Sequence, residues 1–193
     1  METVIVGWPA GRIERMAYDR LVQRAPSSAI GSPRSISTPS GSPAMTPAER
    51  AAHHEAQPLV TELVAEHAAA VQRAEVLAFL YPTTAGVLPA VVKGWLERWM
   101  VPGVAFVFDE RTNRVRPGLR NIRRIVGVAT YPGGRASRWI GGDGGRRIIL
   151  RALRLNTGLR TSTDWLGLHH RDTVGDAERD AFLNSIDAAA ASW

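Results

Sequence analysis

The sequence has 193 residues, of which 45% are hydrophobic, and it contains no cysteine. A chain of this size can bury enough apolar surface to fold as one α/β domain over residues 1–193, and the lack of thiols excludes disulfides, thiolate metal sites and cysteine nucleophiles. The net charge of +6 is scattered along the chain without a basic stripe of interleaved aromatic residues, which disfavours a nucleic-acid partner.

Membrane and metal chemistry are also disfavoured. No apolar run reaches the length of a transmembrane helix, and residues 1–7 are too short and too weakly flanked for a signal peptide. We therefore expect a cytoplasmic protein with no membrane span, as the absence of cysteine also suggests. In the pairs His53-His54 and His169-His170 the side chains point apart on a helix or strand, so no metal site is predicted.

The first part of the chain predicts a strand, a helix and a segment of low complexity. Residues 3–7 (TVIVG) are β-branched and predict a strand; residues 8–11 predict a loop and residues 13–23 a helix. Residues 26–43 are mostly Ser, Pro, Gly and Thr. Because they bury too little apolar surface to offset the entropy of ordering, we predict loop or disorder there.

Two helices are predicted next. Thr46-Pro47-Ala48-Glu49 combines an N-cap, a proline at the first helical position and a glutamate at the third, which is a capping box. Its helix is expected to end near Glu55, and a second helix is expected over Pro58–Gln72. The core-facing stripe of the second helix comprises Val60, Val64, His67 and Val71.

A strand, a loop and a helix follow. Val76–Tyr81 is an apolar run bounded by Pro82 and predicts a buried strand. A polar loop leads into a helix over Pro89–Met100, with Pro89 in the first turn. Because ligands of open α/β sheets bind beyond the carboxyl ends of the strands, this loop predicts one wall of a binding crevice.

The remaining chain continues the alternation of strands and helices, which predicts a parallel sheet with helices on both faces. The predicted elements are a hairpin from Val104–Phe108 through Thr112-Asn113 to Val115, a strand over Ile122–Thr130 with a Gly-rich loop at Tyr131–Gly134, a helix over Arg146–Leu155, a strand over Trp165–Leu168, and a helix over Ala177–Ala191 capped by Asp176.

Residues 81–106 (YPTTAGVLPAVVKGWLERWMVPGVAF) resemble the NAD(P)H dehydrogenase (quinone) family of flavodoxin-like flavoproteins. The resemblance covers roughly residues 44–190 and rests on many fixed spacings. The matching residues are Tyr81, Pro82, Pro89, Ala90, Lys93, Gly94, Trp95, Pro102, Gly103, Ala105 and Phe106, followed by Arg116-Pro117-Gly118, Thr130–Gly134, Gly142-Asp143, Arg146-Arg147 and Trp165.

This resemblance implies a flavodoxin-like, doubly wound parallel sheet of order 2-1-3-4-5. Its second strand is expected to be eroded or missing, because the Ser-rich residues 27–42 stand in its place. The family implies FMN or FAD as cofactor, NAD(P)H as reductant, a quinone-like small molecule as acceptor, and a homodimer. Flavin would carry the redox chemistry, and the protein would position it.

The resemblance also implies where the flavin binds. Tyr131 is the candidate catalytic proton donor, although a buried loop tyrosine can equally be a packing residue. The candidate cofactor-binding residues are Trp8, Pro9, Arg15, Pro82, Thr83, Thr84, Ala85, Gly86, Thr130, Tyr131, Gly133 and Gly134.

One part of the family pattern is changed in this chain. The loop that holds the flavin phosphate in the family has His where this chain has Trp8, and its hydroxyl positions fall on Ile13 and Arg15. Arg12 or Arg15 could pair with a phosphate, whereas Glu14 would oppose it. Two alternatives stay open: a flavin-free binding protein with the same fold, and a basic nucleic-acid binder.

Overall fold

The computed structural model describes residues 2–24, 45–53, 55, 58, 61–112 and 114–193. The strands are β1 (Thr3–Gly7), β2 (Val76–Pro82), β3 (Phe106–Asp109), β4 (Arg114–Pro117), β5 (Arg124–Thr130) and β6 (Ser162–Leu168). The helices are α1 (Arg12–Arg24), α2 (Pro47–Ala52), α3 (Glu62–Arg73), α4 (Ala90–Trp99), α5 (Arg135–Gly141), α6 (Gly144–Arg147), a π-helical turn (Ile148–Ala152), α7 (Arg154–Thr157) and α8 (Asp176–Ala190).

Four strands form one parallel sheet in the order β1-β2-β5-β6. Val6 lies opposite Phe79, which lies opposite Gly127, which in turn lies opposite Trp165. The predicted parallel α/β sheet is therefore confirmed, and the order of these strands agrees with the expected one. The expected second strand falls on residues 26–43, which lie outside the described residues.

Strand β2 is buried on both faces, which explains its unbroken apolar sequence. Leu77, Phe79 and Tyr81 face a core shared with α3, α4 and the π-helical turn. Ala78 and Leu80 face a second core built by α1 and α8. The alternation of side chains along the strand thus supplies both layers of the protein.

Helix α3 begins at Glu62, four residues later than the sequence suggests. Thr61 stops the helix from starting earlier, because its hydroxyl accepts a hydrogen bond from Val64 N at 3.3 Å as an N-cap. Val64, His67 and Val71 are buried as predicted, and Val60 lies outside the described residues.

Helix α2 has the predicted capping box, in which Thr46 Oγ1 accepts from Glu49 N and Glu49 Oε2 accepts from Thr46 N. The helix ends at Ala52, before the expected Glu55. Glu49 Oε1 also accepts from Arg98 Nε of α4 at 2.9 Å, and both side chains are less than a tenth exposed. Burial tends to raise the pKa of Glu49, but the bonds from Thr46 and Arg98 outweigh it, so the pKa is lowered.

Other boundaries differ from the prediction. The N-cap of α8 is Gly175 rather than Asp176, whose carboxylate instead pairs with Arg179 one turn later at 2.7 Å. The short helix α5 was not foreseen, since its composition has no clear apolar period. Strand β5 starts at Arg124, because Ile122 still belongs to the preceding turn.

The hairpin of β3 and β4 is confirmed, with Phe106 opposite Pro117 and Asp109 opposite Arg114. Among the described residues no helix is long and apolar enough to cross a membrane. Within the same residues, no group of three or more His, Asp or Glu side chains is placed to hold a metal ion.

Breaking the buried Glu49–Arg98 pair should strongly destabilise the protein. Arg98→Met leaves a buried carboxylate without its partner, so the free energy of unfolding should fall by about 3–5 kcal/mol, measured by urea denaturation. Arg73→Met is the matched control, because Arg73 pairs with Glu2 on the surface and should cost about 1 kcal/mol or less. Equal losses in the two variants would contradict this assignment.

His67 should make the stability depend on pH. Its Nδ1 accepts a hydrogen bond from Trp95 Nε1 at 3.1 Å, and burial lowers its pKa from the ordinary value of about 6.5. Its contribution is present above about pH 6.5 and is lost as pH falls through the lowered folded-state pKa, because the unfolded chain takes up the proton first. His67→Gln should flatten the fall in unfolding free energy over that range, measured by urea denaturation at a series of pH values. An equally steep fall in His67→Gln would contradict the role of His67.

Candidate functional site

A cleft of about 490 Å³ lies at the carboxyl ends of the sheet strands. Such an edge is where open α/β sheets bind ligands, and the volume lies within the range of small-molecule pockets. Three segments line the cleft: residues 8 and 10–14 after β1, Pro82, Thr84 and Pro89 around the loop after β2, and Arg171 and Asp172 after β6.

The loop after β1 forms one wall. Trp8 N donates to Leu80 O at 2.8 Å, which fixes the loop against β2, and the half-buried indole of Trp8 lines the cleft. Pro9 is half-buried but does not line the cleft. Arg15 is exposed on α1 and also lies outside the lining, so the structure does not bring these two predicted site residues to the cleft.

Glu14 is the buried acid of this wall, with 4% of its surface exposed. Its Oε1 accepts a hydrogen bond from the hydroxyl of Thr130, the last residue of β5. Its other oxygen folds back over Gly11, where an added Cβ would lie only 2.3 Å from it. A larger residue at position 11 would therefore displace this carboxylate, which sits over the first turn of α1.

The loop after β2 is tied to the end of β5. The main-chain N and the hydroxyl of Thr83 both donate to Thr130 O, at 2.8 and 3.0 Å. Ala85 and Gly86 have φ of 50° and 72°, a tight turn that favours glycine. The Thr83 amide is thus already paired with Thr130 O and is not available as a main-chain donor to a ligand.

The loop after β5 carries a polar network around Tyr131. The Tyr131 hydroxyl donates to Asp143 Oδ2 at 2.7 Å and accepts from Trp165 Nε1 at 3.1 Å. Its ring stacks on His169, with 4.7 Å between ring centroids and 17° between planes. Tyr131 N donates to Leu168 O at 2.8 Å. The phenol is therefore held at one fixed position, with only 4% of its surface exposed.

A second tyrosine lies beneath this network. Burial raises the pKa of Tyr81, and the neighbouring Tyr131 and Asp143 raise it further. The Tyr81 hydroxyl has no hydrogen-bond partner within the described part of the chain. Tyr81 therefore stays protonated and serves as packing, with its ring edge-on to Trp165.

The structure gathers some of the predicted site residues and separates others. Trp8, Pro82 and Thr84 line the cleft, and Thr83 and Thr130 are bonded directly behind it. Neither of these two threonines lines the cleft, and the other predicted residues outside the lining are Pro9, Arg15, Ala85, Gly86, Tyr131, Gly133 and Gly134.

Eight lining residues were absent from the predicted site: Ala10, Gly11, Arg12, Ile13, Glu14, Pro89, Arg171 and Asp172. Arg171 pairs with Asp172 at 3.5 Å, and Arg171 N donates to Tyr131 O at 3.0 Å. The rule that ligands bind at the carboxyl edge could have found the last two, because they follow β6 directly. Arg12, Arg171, Glu14 and Asp172 give the lining two positive and two negative side chains.

The chain was compared with known families and solved structures. Residues 34–159 match the model of a family described as Flavodoxin-like fold. A search by sequence among curated proteins finds no match. Three solved structures that match nearly the whole chain do so at 10–19% identity.

Smu.1420 from Streptococcus mutans UA159 superposes with a TM-score of 0.77 at 14% identity, over 100% of both chains. An NAD(P)H:quinone oxidoreductase from Methanothermobacter marburgensis has a TM-score of 0.74 at 19% identity, covering 97% of this chain and 95% of that one. An FMN-dependent NADH-azoreductase from Bacillus anthracis, in complex with FMN, has a TM-score of 0.73 at 10% identity, covering 100% and 99%.

Removing the hydroxyl that pairs with Glu14 should destabilise the protein. Thr130→Val leaves the buried carboxylate without this donor, so the free energy of unfolding should fall by about 1.5–3 kcal/mol in chemical denaturation. Thr161→Val is the matched control, because buried Thr161 Oγ1 donates to the neutral carbonyl of Ile122 at 3.1 Å and should cost about 1 kcal/mol. A loss at Thr130 no larger than at Thr161 would contradict the charged character of the bond.

Proposed function

The chain belongs to the flavodoxin-like fold family, and from that premise we propose that it is a flavin-dependent oxidoreductase that passes two electrons from NAD(P)H to a quinone-like small molecule. One observation carries the proposal: the loops after β1, β2 and β6 meet in a single cleft at the carboxyl edge of the sheet. The names of the similar quinone oxidoreductase and azoreductase structures support it as analogy.

One half of the cleft, the ring half, is lined by Trp8, Pro82, Thr84 and Pro89 and suits a flat, largely apolar group. Trp8, Pro82 and Pro89 offer apolar surface, and Thr84 adds a polar edge. Such a mixture, mostly apolar with a few polar groups, is typical of cofactor pockets. These are the residues that would hold the isoalloxazine ring.

The other half of the cleft, the phosphate half, lies at residues 10–14 beside the start of α1. It does not suit FMN or FAD, the flavins that the sequence resemblance implies. Glu14 places a carboxylate over the first turn of α1, where a phosphate would otherwise be bound. Arg15 points to solvent rather than into the cleft. The fit to a flavin therefore rests on the ring half alone.

A bound flavin would supply the electron transfer, and the protein would position the reactants and manage protons. Tyr131 is the proposed proton donor, although it does not line the cleft. Its hydroxyl donates to Asp143 Oδ2 and accepts from Trp165 Nε1, so proton donation to a ligand would require exchange of the bond to Asp143. The competing role is purely positional, since the same two bonds also fix the loop after β5. The two roles differ in the size of the effect on turnover, because general acid catalysis contributes about 10²–10⁴-fold.

A homodimer is part of the proposal. Phe108 and Val115 on the β3–β4 hairpin are 58% and 60% exposed, and this apolar surface would be covered by a second chain. Light scattering on the purified protein measures the assembly directly.

A flavin-free binding protein is the second candidate, and the buried Glu14 favours it. Colour separates the two: a purified protein that absorbs in the visible flavin bands, or takes up added flavin, supports the oxidoreductase. A colourless protein that takes up neither riboflavin, FMN nor FAD would rule the oxidoreductase out. A nucleic-acid binder would instead show steeply salt-dependent retention on DNA.

Tyr131→Phe tests the proton-donor role. In the flavin-loaded protein, NAD(P)H oxidation with a benzoquinone should show kcat lowered by about 10²-fold or more, with KM little changed. Tyr81→Phe is the matched control, since its hydroxyl has no partner in the described residues, and it should keep kcat within about threefold of wild type. A loss below about tenfold in Tyr131→Phe would make Tyr131 a positioning residue.

A further inference from the structure

We propose that Glu14 is a built-in anion that closes the phosphate position of the cleft, so that the protein takes a flavin whose ribityl chain ends in a hydroxyl, as in riboflavin, rather than in a phosphate. This rests on the proposed flavin function and specifies the chemical class of the cofactor.

The electrostatic field at the start of α1 attracts an anion. This helix has 13 residues, and its first turn opens into the cleft at the carboxyl edge of the sheet. The unpaired N–H groups and the helix dipole make such a helix start attractive to one anion. Arg15 N is the first amide to be paired within the helix, and it donates to Gly11 O at 3.1 Å.

The carboxylate of Glu14 already supplies this anion. Glu14 is the acidic residue of that first turn, and its side chain is buried rather than extended into solvent. It reaches back to within 2.3 Å of the place a Gly11 Cβ would take, and it accepts from the Thr130 hydroxyl. A phosphate in the same place would meet a buried like charge, which is costly in a low-dielectric site.

Arg12 and Arg171 are the cationic side chains that line the cleft. Arg12 is exposed at the mouth of the cleft, and Arg171 is partly neutralised by Asp172 at 3.5 Å. One guanidinium nitrogen of Arg171, Nη1, is buried without a hydrogen-bond partner in the described residues. Glu14 and Asp172 also line the cleft, so the lining carries two positive and two negative side chains and no net positive charge to offset a phosphate dianion.

The Glu14 carboxylate can accept further hydrogen bonds. An ionised carboxylate has about four acceptor positions, and the Thr130 hydroxyl fills one of them. The hydroxyl groups of a ribityl chain are donors that could pair with the others. Glu14 therefore disfavours a phosphorylated tail through its negative charge. It favours a polyol tail through its remaining acceptor positions.

The test compares riboflavin and FMN binding by fluorescence quenching in three proteins: wild type, Glu14→Gln and Glu110→Gln. Glu110 is an exposed hairpin residue outside the cleft, so its variant controls for the loss of one negative charge. Wild type and Glu110→Gln should bind riboflavin about tenfold more tightly than FMN, and Glu14→Gln should shift that ratio toward FMN by about tenfold or more. Tighter binding of FMN than of riboflavin by wild type would overturn the proposal.

A second readout needs no flavin. Inorganic phosphate should raise the thermal midpoint of Glu14→Gln but not of wild type or Glu110→Gln, because only the variant frees the start of α1. If no flavin binds any of the three proteins, the oxidoreductase fails, and the phosphate result still decides the role of Glu14. A phosphate effect in wild type, or none in Glu14→Gln, overturns it. Glu14→Ser serves in place of Glu14→Gln if that variant does not fold, and if neither folds the two wild-type measurements decide.

Discussion

Burial of β2 on both faces is the constraint from which the rest of the architecture follows. Because Leu77 and Phe79 need one apolar layer and Ala78 and Leu80 need another, helices must cover both sides of the sheet. Parallel strands then require every connection to return to the same end, so all the carboxyl ends lie at one edge. The cleft exists because loops distant in the sequence are forced to meet at that edge.

Within the cleft, one hydrogen bond divides the site into two unlike halves. The bond from Thr130 to Glu14 links the end of β5 to the first turn of α1 and brings a carboxylate into the wall. Beside it, Trp8 and Pro82 form an apolar half with the character of a ring pocket. Under the proposed function, the balance of charge, rather than the shape of the cleft, would distinguish among flavins with different tails.

The fold was largely predictable, because strand identity depends on local apolar runs and helix starts on local caps. The capping box at Thr46 and Glu49 was confirmed in full. The errors arose where a cap or a charge outweighed periodicity, as at Thr61, which delays α3, and at Asp176, which pairs with Arg179 instead of capping. The site was predicted less well, since Arg171 and Asp172 carry no motif of their own and Arg15 turns outward.

The sequence by itself determined the parallel α/β layering and the loops after β1 and β2 that line the cleft, because a two-residue alternation or an apolar run reports burial locally. Only the tertiary structure decided which side chains share the cleft and which are already paired. Glu14 and Thr130 lie 116 positions apart, and the Tyr131 hydroxyl is committed to Asp143 and Trp165 by packing of three separate elements. Long-range pairing of polar groups depends on the final geometry, and no local pattern in the chain encodes it.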